Sequence, residues 1–325
     1  MSEKGLINPQ VAYRPGTRAL LRLRFRHFGR RIAAWRREWL LLFKKPLGVI
    51  GVGILAFFAL LALAQPLLMS TVWDDDIYDP EIGYDMAAVP HPSKPSLTHP
   101  LGTDGQGRDV LSRLAAATGT SFGVGVVAAV VGTLIGTAVG TAAAFYGGRT
   151  DTLLMTMSDA FILLPPAIVL LIIGFIFELS SLYVGLLFGI FAGLGSFAVI
   201  MKSHASSVKS SQYVESGRVS GGGNWRIMRV HVLPNLVAVI VVNMMFIATG
   251  AVMVEALLSY LGRTESRLSW GTMIWTAQDN LSSFAYGENL HVLIAPALAI
   301  MLFCGAFYLI GRSLEEVINP RLRSR

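Results

Sequence analysis

QYVESGRVSGGGNWRIMRVHVLPN, residues 212–235, is a polar and basic island held between two long apolar runs. Its pattern predicts a short helix, a break and a second helix. Tyr213 and Val214 lie near Gly217 and Val219 on the first, while Trp225, Ile227, Met228 and Val230 give the second an apolar side against Arg226 and Arg229. Consecutive glycines, Gly221, Gly222 and Gly223, forfeit roughly 1 kcal/mol of helix propensity each, so one continuous rod is not expected. Pro234 lacks an N–H and suits the first turn of the apolar helix that follows. A segment of this kind lies along a membrane surface or docks into a partner's groove.

The flanking runs decide which membrane arrangement is available. Of 325 residues, 53% are hydrophobic and 14% charged, with a mean hydropathy of +0.57, which excludes an ordinary soluble domain. Apolar runs long enough for a ~30 Å hydrocarbon core fall near 47–68, 119–146, 153–177, 182–201, 236–258 and 291–310. The expected fold is therefore all-α, a polytopic membrane protein with six transmembrane helices. The net charge of +7 sits in segments beside the apolar runs, a pattern of membrane anchoring and not of nucleic-acid binding. Before the first run lie Arg18, Arg22, Arg24, Arg26, Arg30, Arg31, Arg36, Arg37, Lys44 and Lys45 against Glu38, which holds the N-terminus in the cytoplasm. Alternation then puts Asp74, Asp75, Asp76, Asp79, Glu81 and Asp85 outside and Lys202, Lys209, Arg218, Arg226 and Arg229 inside, together with the 212–235 island and the C-terminus.

The basic N-terminal segment carries Leu21, Phe25, Phe28, Ile32, Trp35 and Trp39 at helical spacing, which predicts an interfacial helix on anionic lipid. The alternative is a tail that only enforces topology. A cleaved leader ending at Ala62-Leu63-Ala64 is disfavoured by the length of both the basic segment and the apolar run. Cys304, the one cysteine, leaves no intrachain disulfide and no zinc framework.

HPLGTDGQGRDVLSRL, residues 99–114, closes the first outer loop. Gly102, Gly105 and Gly107 permit a tight turn, and Asp104 or Asp109 can cap the helix carrying Val110, Leu111 and Leu114. No Lys-Ser or Lys-Thr follows, so it is not a phosphate loop, and the calcium-loop pattern is missing. His91 and His99 beside Asp74–Asp76 could bind a cation, against the simpler reading of a solvated acidic loop. Within the membrane, Gly132, Gly136 and Gly140, preceded by Gly119 and Gly123, form a small-residue face for close packing. The spacing leaves open whether that face meets this chain or a partner. Pro165-Pro166 should kink the third span. Asp159 and Glu255 are ionisable groups at membrane depth, either positioned on a pathway or gate or buried against neighbouring helices.

Glu215, Gly221 and Leu233-Pro234 resemble, by their spacing, the EAA loop of ABC importer permeases, with Ser216 and Gly217 where that family usually has two alanines. HPLGTDGQGRDVLSRL resembles the motif before the second span in the dipeptide, oligopeptide and nickel branch, in one of its two paired subunits. Glu255 stands in EALLSYLG, similar to the family's EASLSFLG string, after which Arg263-Thr264-Glu265 replace a frequent Leu-Gly repeat. Ser269-Trp270-Gly271, Pro296 and Asn319-Pro320-Arg321-Leu322 extend the resemblance over roughly residues 40–325.

The resemblance implies a type I importer permease fold. It divides the chain into a cytoplasmic arm (1–46), a first span (47–68), an outer loop (69–118), a five-helix core (119–312) with a coupling helix at 211–228, and a cytoplasmic tail (313–325). The implied function is a multi-pass permease subunit in a bacterial or archaeal inner membrane, taking up di- or oligopeptides. Nickel chelates or oligosaccharides are the alternative cargo, and a stand-alone secondary transporter or a membrane scaffold the alternative class. Implied partners are a second homologous permease, two cytoplasmic ATPases, an extracytoplasmic solute-binding protein and lipid. The chain itself would be non-catalytic and without a cofactor or metal, ATP and Mg being held by the ATPases. Tyr213, Glu215, Gly221, Trp225, Arg226 and Pro234 would form the ATPase-coupling loop, with Glu255 and Asp159 near the path or its gate.

Overall fold

The computed structural model describes residues 42–221, 223–279 and 290–318. The interfacial helix expected at 21–39, Gly222 and the 319–322 motif lie outside the described residues. Among those described the fold is all-α, without strands.

Helix α1, Pro46–Thr71, starts on a proline whose missing N–H falls in the unbonded first turn. A loop follows, containing one-turn helices at Asp75–Tyr78 and Met86–Ala88, each capped by the aspartate before it: Asp74 accepts from the Asp76 N–H and Asp85 from the Ala87 N–H. Helix α2, Val110–Tyr146, is capped by Asp109, which accepts from the Ser112 N–H at 2.6 Å. It starts at Val110, earlier than the apolar run, because that cap and the buried turn above it extend the helix beyond membrane depth.

Helices α3, Gly148–Leu163, and α4, Pro166–Ile176, meet at a 74° bend. Leu164 (φ −89°, ψ 111°) and Pro165 (φ −64°, ψ 114°) each precede a proline and are forced into extended conformation, so the helix is broken and not merely kinked. Helix α5, Ser181–Lys209, contains a wide π turn at Gly193–Phe197. After the short α6, Gln212–Val219, α7 runs from Asn224 to Tyr260, followed by α8, Trp270–Asp279, and α9, Leu290–Ile318. Pro234 stands in the first turn of the Leu233–Tyr260 stretch, as its missing N–H suits, and that stretch is continuous with the turns before it. A π turn at Met228–Val232 immediately before it absorbs the ring and the missing donor, and the rod runs on.

Among the described residues five helices are long and apolar enough to span a membrane, and the bent pair, taken as one span, makes a sixth. Contacts at the two ends of the bundle decide that the pair crosses. At one end Lys45 meets Glu316 at 3.0 Å, Lys202 meets Asp151 at the start of α3 at 2.6 Å, and Lys209 reaches the last turn of α2. At the other, Leu179 just beyond α4 accepts from the Glu265 N–H at 2.9 Å, and the Trp270 indole donates to the Leu114 carbonyl at 3.3 Å. The first end is basic and the second carries the acidic loop.

The glycine face of α2 packs within this chain. Gly132, Gly136 and Gly140 lie against the α5 backbone, and Gly185, Gly189 and Gly193 lie against α2 in return. A Cβ on Gly193 would fall 2.6 Å from the Gly132 carbonyl, so any larger residue separates the helices. Phe58, Trp270 and Phe303 join α1, α8 and α9, with ring centroids 5.2–5.5 Å apart.

Candidate docking surface and translocation cavity

The basic end presents the 212–235 segment as a surface with two distinct sides. Val214, Ile227, Met228 and Val232 are buried in one cluster with Ala144, Phe145, Met201 and Ala205, so its inner side rests on the ends of α2 and α5. Lys209 Nζ donates to the Ala144 and Phe145 carbonyls at 2.8 and 3.0 Å, satisfying the α2 C-terminus with a cation. Lys209 and Arg218 both lie 5.5 Å from the Phe145 ring centroid. This anchoring makes the segment a rigid continuation of two spans.

Its outer side is apolar and charged at once. Tyr213 is 46% exposed, Trp225 64% and Val219 85%, and Glu215 and Arg226 are exposed beside them. Exposed aromatics with charges around them are the composition of a protein-docking patch. Gly221, at φ +79°, turns the chain between α6 and α7 in a conformation only glycine adopts readily. Pro234 is half-buried below the patch, where α7 begins its crossing. The positions of Ser216 and Gly217 leave α6 intact: the Ser216 hydroxyl donates to the Gln212 carbonyl at 2.9 Å, and an alanine at 217 would meet His231 at ordinary contact distance.

At the acidic end, residues 73–109 form a clasp over the start of α2. Asp104 accepts from Arg108 Nε at 2.8 Å, from the Gln106 and Arg108 N–H groups at 2.9 and 3.0 Å, and from Arg113 Nη1. Burial pushes its carboxyl up, but the Arg113 and Arg108 charges outweigh this and hold it below the usual carboxylate range. His99, 1% exposed, is gripped between Asp109 Oδ2 at 2.8 Å and Asp85 Oδ2 at 3.0 Å. Burial pulls its imidazole down, while the hydrogen bonds to the two carboxylates raise it net; the same bond from His99 holds Asp85 below its usual value. Burial pushes Asp109 up. The His91 ring nitrogens face Thr103 Oγ1 at 2.8 Å and the Asp85 carbonyl at 3.1 Å. Of the side chains weighed as a cation site, His91, His99 and Asp74 are thus engaged in holding the loop, and no cluster of metal-ligating residues occurs among the described residues.

Glu255 is 1% exposed on α7. It accepts from the Ser181 hydroxyl on α5 at 2.9 Å and from Ser259 at 2.6 Å. Ser259 in turn meets Thr264 at 2.7 Å, so the carboxylate ties α5, α7 and the following loop together. Beside this knot opens a cavity of about 1340 Å³, bounded by α2 at Gly119 and Gly123, the end of α4, Ser180–Leu182 and residues 262–268. Ser181 lines it, and Glu255 lies behind that wall. Asp159 is exposed on α3. The structure therefore gathers Tyr213, Glu215, Gly221, Trp225 and Arg226 on one surface and keeps Glu255 and Asp159 away from it.

A six-crossing helical bundle with an anchored, exposed helix-break-helix at one end and a cavity at the other is the architecture of an ABC importer permease. The family described as binding-protein-dependent transport system inner membrane component matches residues 132–324, and the chain belongs to it. Within that family it is a permease of the DppC/OppC-like branch. It is 31% identical to the dipeptide transport system permease protein DppC of Bacillus subtilis over 89% of this chain and 85% of that one. It is 30% identical to the glutathione transport system permease protein GsiD of Pectobacterium atrosepticum, over 89% and 92% of the two chains. It is also 30% identical to the oligopeptide transport system permease protein OppC of Escherichia coli K12, over 83% and 85%.

Proposed function

We propose that this chain is the non-catalytic permease subunit of a peptide importer, converting ATP hydrolysis on partner subunits into alternating access. The observation that carries this reading is the two-sided 212–235 segment, with buried anchors on α2 and α5 and an exposed Tyr213–Trp225 patch. A partner that moves this patch moves two spans directly and a third through Pro234 and α7. Peptides are the cargo because the relatives bear the names dipeptide, oligopeptide and glutathione transport permease.

In this reading the basic end, with Lys202, Lys209, Arg218, Arg226 and Arg229, is cytoplasmic, as the charge bias supports. Both termini are then cytoplasmic, and the 73–109 clasp faces the solute-binding protein. Two ATPases hold ATP and Mg, a second homologous permease completes the pathway, and this chain contributes no nucleotide or metal site. Residues 1–46 form the cytoplasmic arm, 47–68 the first span, 69–118 the outer loop, 119–312 the transporting core and 313–325 the tail. Glu255 acts as a fixed joint behind the outer cavity, and Asp159 lies nearer the cytoplasmic end.

The test is Glu215→Lys, or deletion of residues 221–223, in the assembled complex in proteoliposomes. Transport-linked ATP hydrolysis and uptake fall while membrane insertion is unchanged. Normal uptake and normal stimulated hydrolysis in both variants would overturn the coupling assignment.

A further inference from the structure

We propose that Arg263 anchors a free carboxylate of the transported solute in the acidic-end cavity, making this chain selective for zwitterionic short peptides. The proposal rests on the transport reading above and specifies its cargo.

The cavity, about 1340 Å³, exceeds the roughly 300–1,000 Å³ of ordinary small-molecule sites and is lined by charges of both signs. Arg263 and Arg267 stand in it with Glu81, Glu178 and Glu265, and none of the five forms an ion pair among the described residues. Oppositely charged side chains that line one space without neutralising each other are arranged to receive a ligand carrying both signs. A metal cation would leave the arginines unanswered, and a solute with no carboxylate would leave Arg263 so.

Arg263 is held for this task. Its guanidinium carbon lies over the Phe175 ring, 4.1 Å from the centroid, a cation–π contact that holds the head group beside the cavity. Its Nε is shielded from water and has no hydrogen-bond partner among the described residues. That atom is closed to a ligand as it is to water, so a carboxylate is answered by the rest of the guanidinium, which lines the cavity without a counter-ion among the described residues. The backbone is fixed as well: the Arg263 N–H donates to the Leu258 carbonyl at 2.8 Å, and Gly174 lets the Arg263 main chain approach α4, where a Cβ would stand 3.1 Å from the Arg263 carbonyl oxygen. Arg263-Thr264-Glu265 is also where this sequence leaves the Leu-Gly pattern it otherwise resembles.

The experiment uses the complete complex, with its partner permease, ATPases and binding protein, in proteoliposomes. Uptake of Ala-Phe is compared with that of its C-terminal amide, as the ratio of kcat/KM for acid over amide. The same binding protein delivers to every variant, so its own preference cancels between variants. Arg263→Gln lowers the ratio roughly ten-fold, the loss expected for one charge-assisted contact. Amide uptake stays within about two-fold of the unsubstituted complex, which also reports correct folding. Arg263→Lys keeps the charge but not the guanidinium and retains only part of the preference, between the unsubstituted complex and Arg263→Gln. An unchanged ratio in Arg263→Gln, or equal loss of both substrates, overturns the proposal. Failure of the unsubstituted complex to move either peptide overturns the peptide reading beneath it.

Discussion

Replacing Asp104 by alanine should unlock the clasp at the start of α2, and its cost can be worked from the contacts. Asp104 is 3% exposed and Arg113, whose guanidinium it neutralises, 2%. The carboxylate also accepts from Arg108 Nε and two backbone N–H groups. Without it Arg113 is a buried charge with no counter-ion, a change that costs about 3–5 kcal/mol. Relaxation of Arg108, which is 13% exposed, toward solvent recovers part of what remains. The readout is denaturant unfolding of the purified complex in detergent, with Arg113→Met and the double variant alongside. Asp104→Ala is expected to be the most destabilised, and the double variant to regain much of the loss because the fully buried Arg113 charge is then no longer stranded. A cost below about 1 kcal/mol for Asp104→Ala would refute the reasoning, since that is the range of an exposed ion pair. So would a double variant no more stable than Asp104→Ala.

His99 gives the clasp a pH dependence of fixed sign. Its value is raised above 6.5, so its contribution is complete below that pH and lost as pH rises through the raised value; protease resistance of the 73–109 loop should fall with alkalinity, and His99→Gln should flatten the profile. Asp85, lowered from 3.8, contributes above that pH and loses its contribution as acid takes pH down through the lowered value. Gly140→Leu should abolish assembly, because its side chain would enter the α5 backbone at the Ala198 carbonyl and the Lys202 N–H, where nothing flexible can yield; recovery of intact complex by size-exclusion chromatography checks this. Tyr213→Ala with Trp225→Ala should cost the isolated subunit no more than about 1 kcal/mol of unfolding free energy, since Trp225 is 64% and Tyr213 46% exposed, and should lower ATPase co-purification.

The spans were legible because hydrophobic length is a local property, and 236–258 and 291–310 fall inside α7 and α9. The 212–235 island was legible for the same reason: its glycines and its two-sided spacing are visible without tertiary information. What the sequence left open depended on partners far along the chain. The glycine face of α2 could have served any helix, and the structure assigns it to α5 through Gly185, Gly189 and Gly193. Pro165-Pro166 announced a kink, but a 74° break requires both residues before the prolines to turn extended. Pro234 announced a helix start and stands in the first turn of Leu233–Tyr260, while the π turn that joins this stretch to the turns before it had no sequence signal.

Side-chain pairing was the least legible level. Asp104 or Asp109 as a cap was readable from their place before an apolar run, and the structure uses Asp109. The pairing of Asp104 with Arg113 and of His99 with Asp85 closes a loop across 9 and 14 positions, that of Glu255 with Ser181 spans 74, and none leaves a periodic trace. Arg263 had one sequence signal, its place directly after a string similar to EASLSFLG, but only the cavity around it gives that departure a chemistry.

The central claim is that residues 212–226 form the surface on which the ATPases act. Its most direct measurement is photocrosslinking in the assembled complex, with a photoreactive residue at Tyr213 or Trp225 and, for comparison, at Ile82, which is 81% exposed at the opposite end. The account predicts that 213 and 225 capture an ATPase subunit and that 82 captures the solute-binding protein. ATPase captured from 82, or none from 213 and 225 in a complex that hydrolyses ATP, would contradict it.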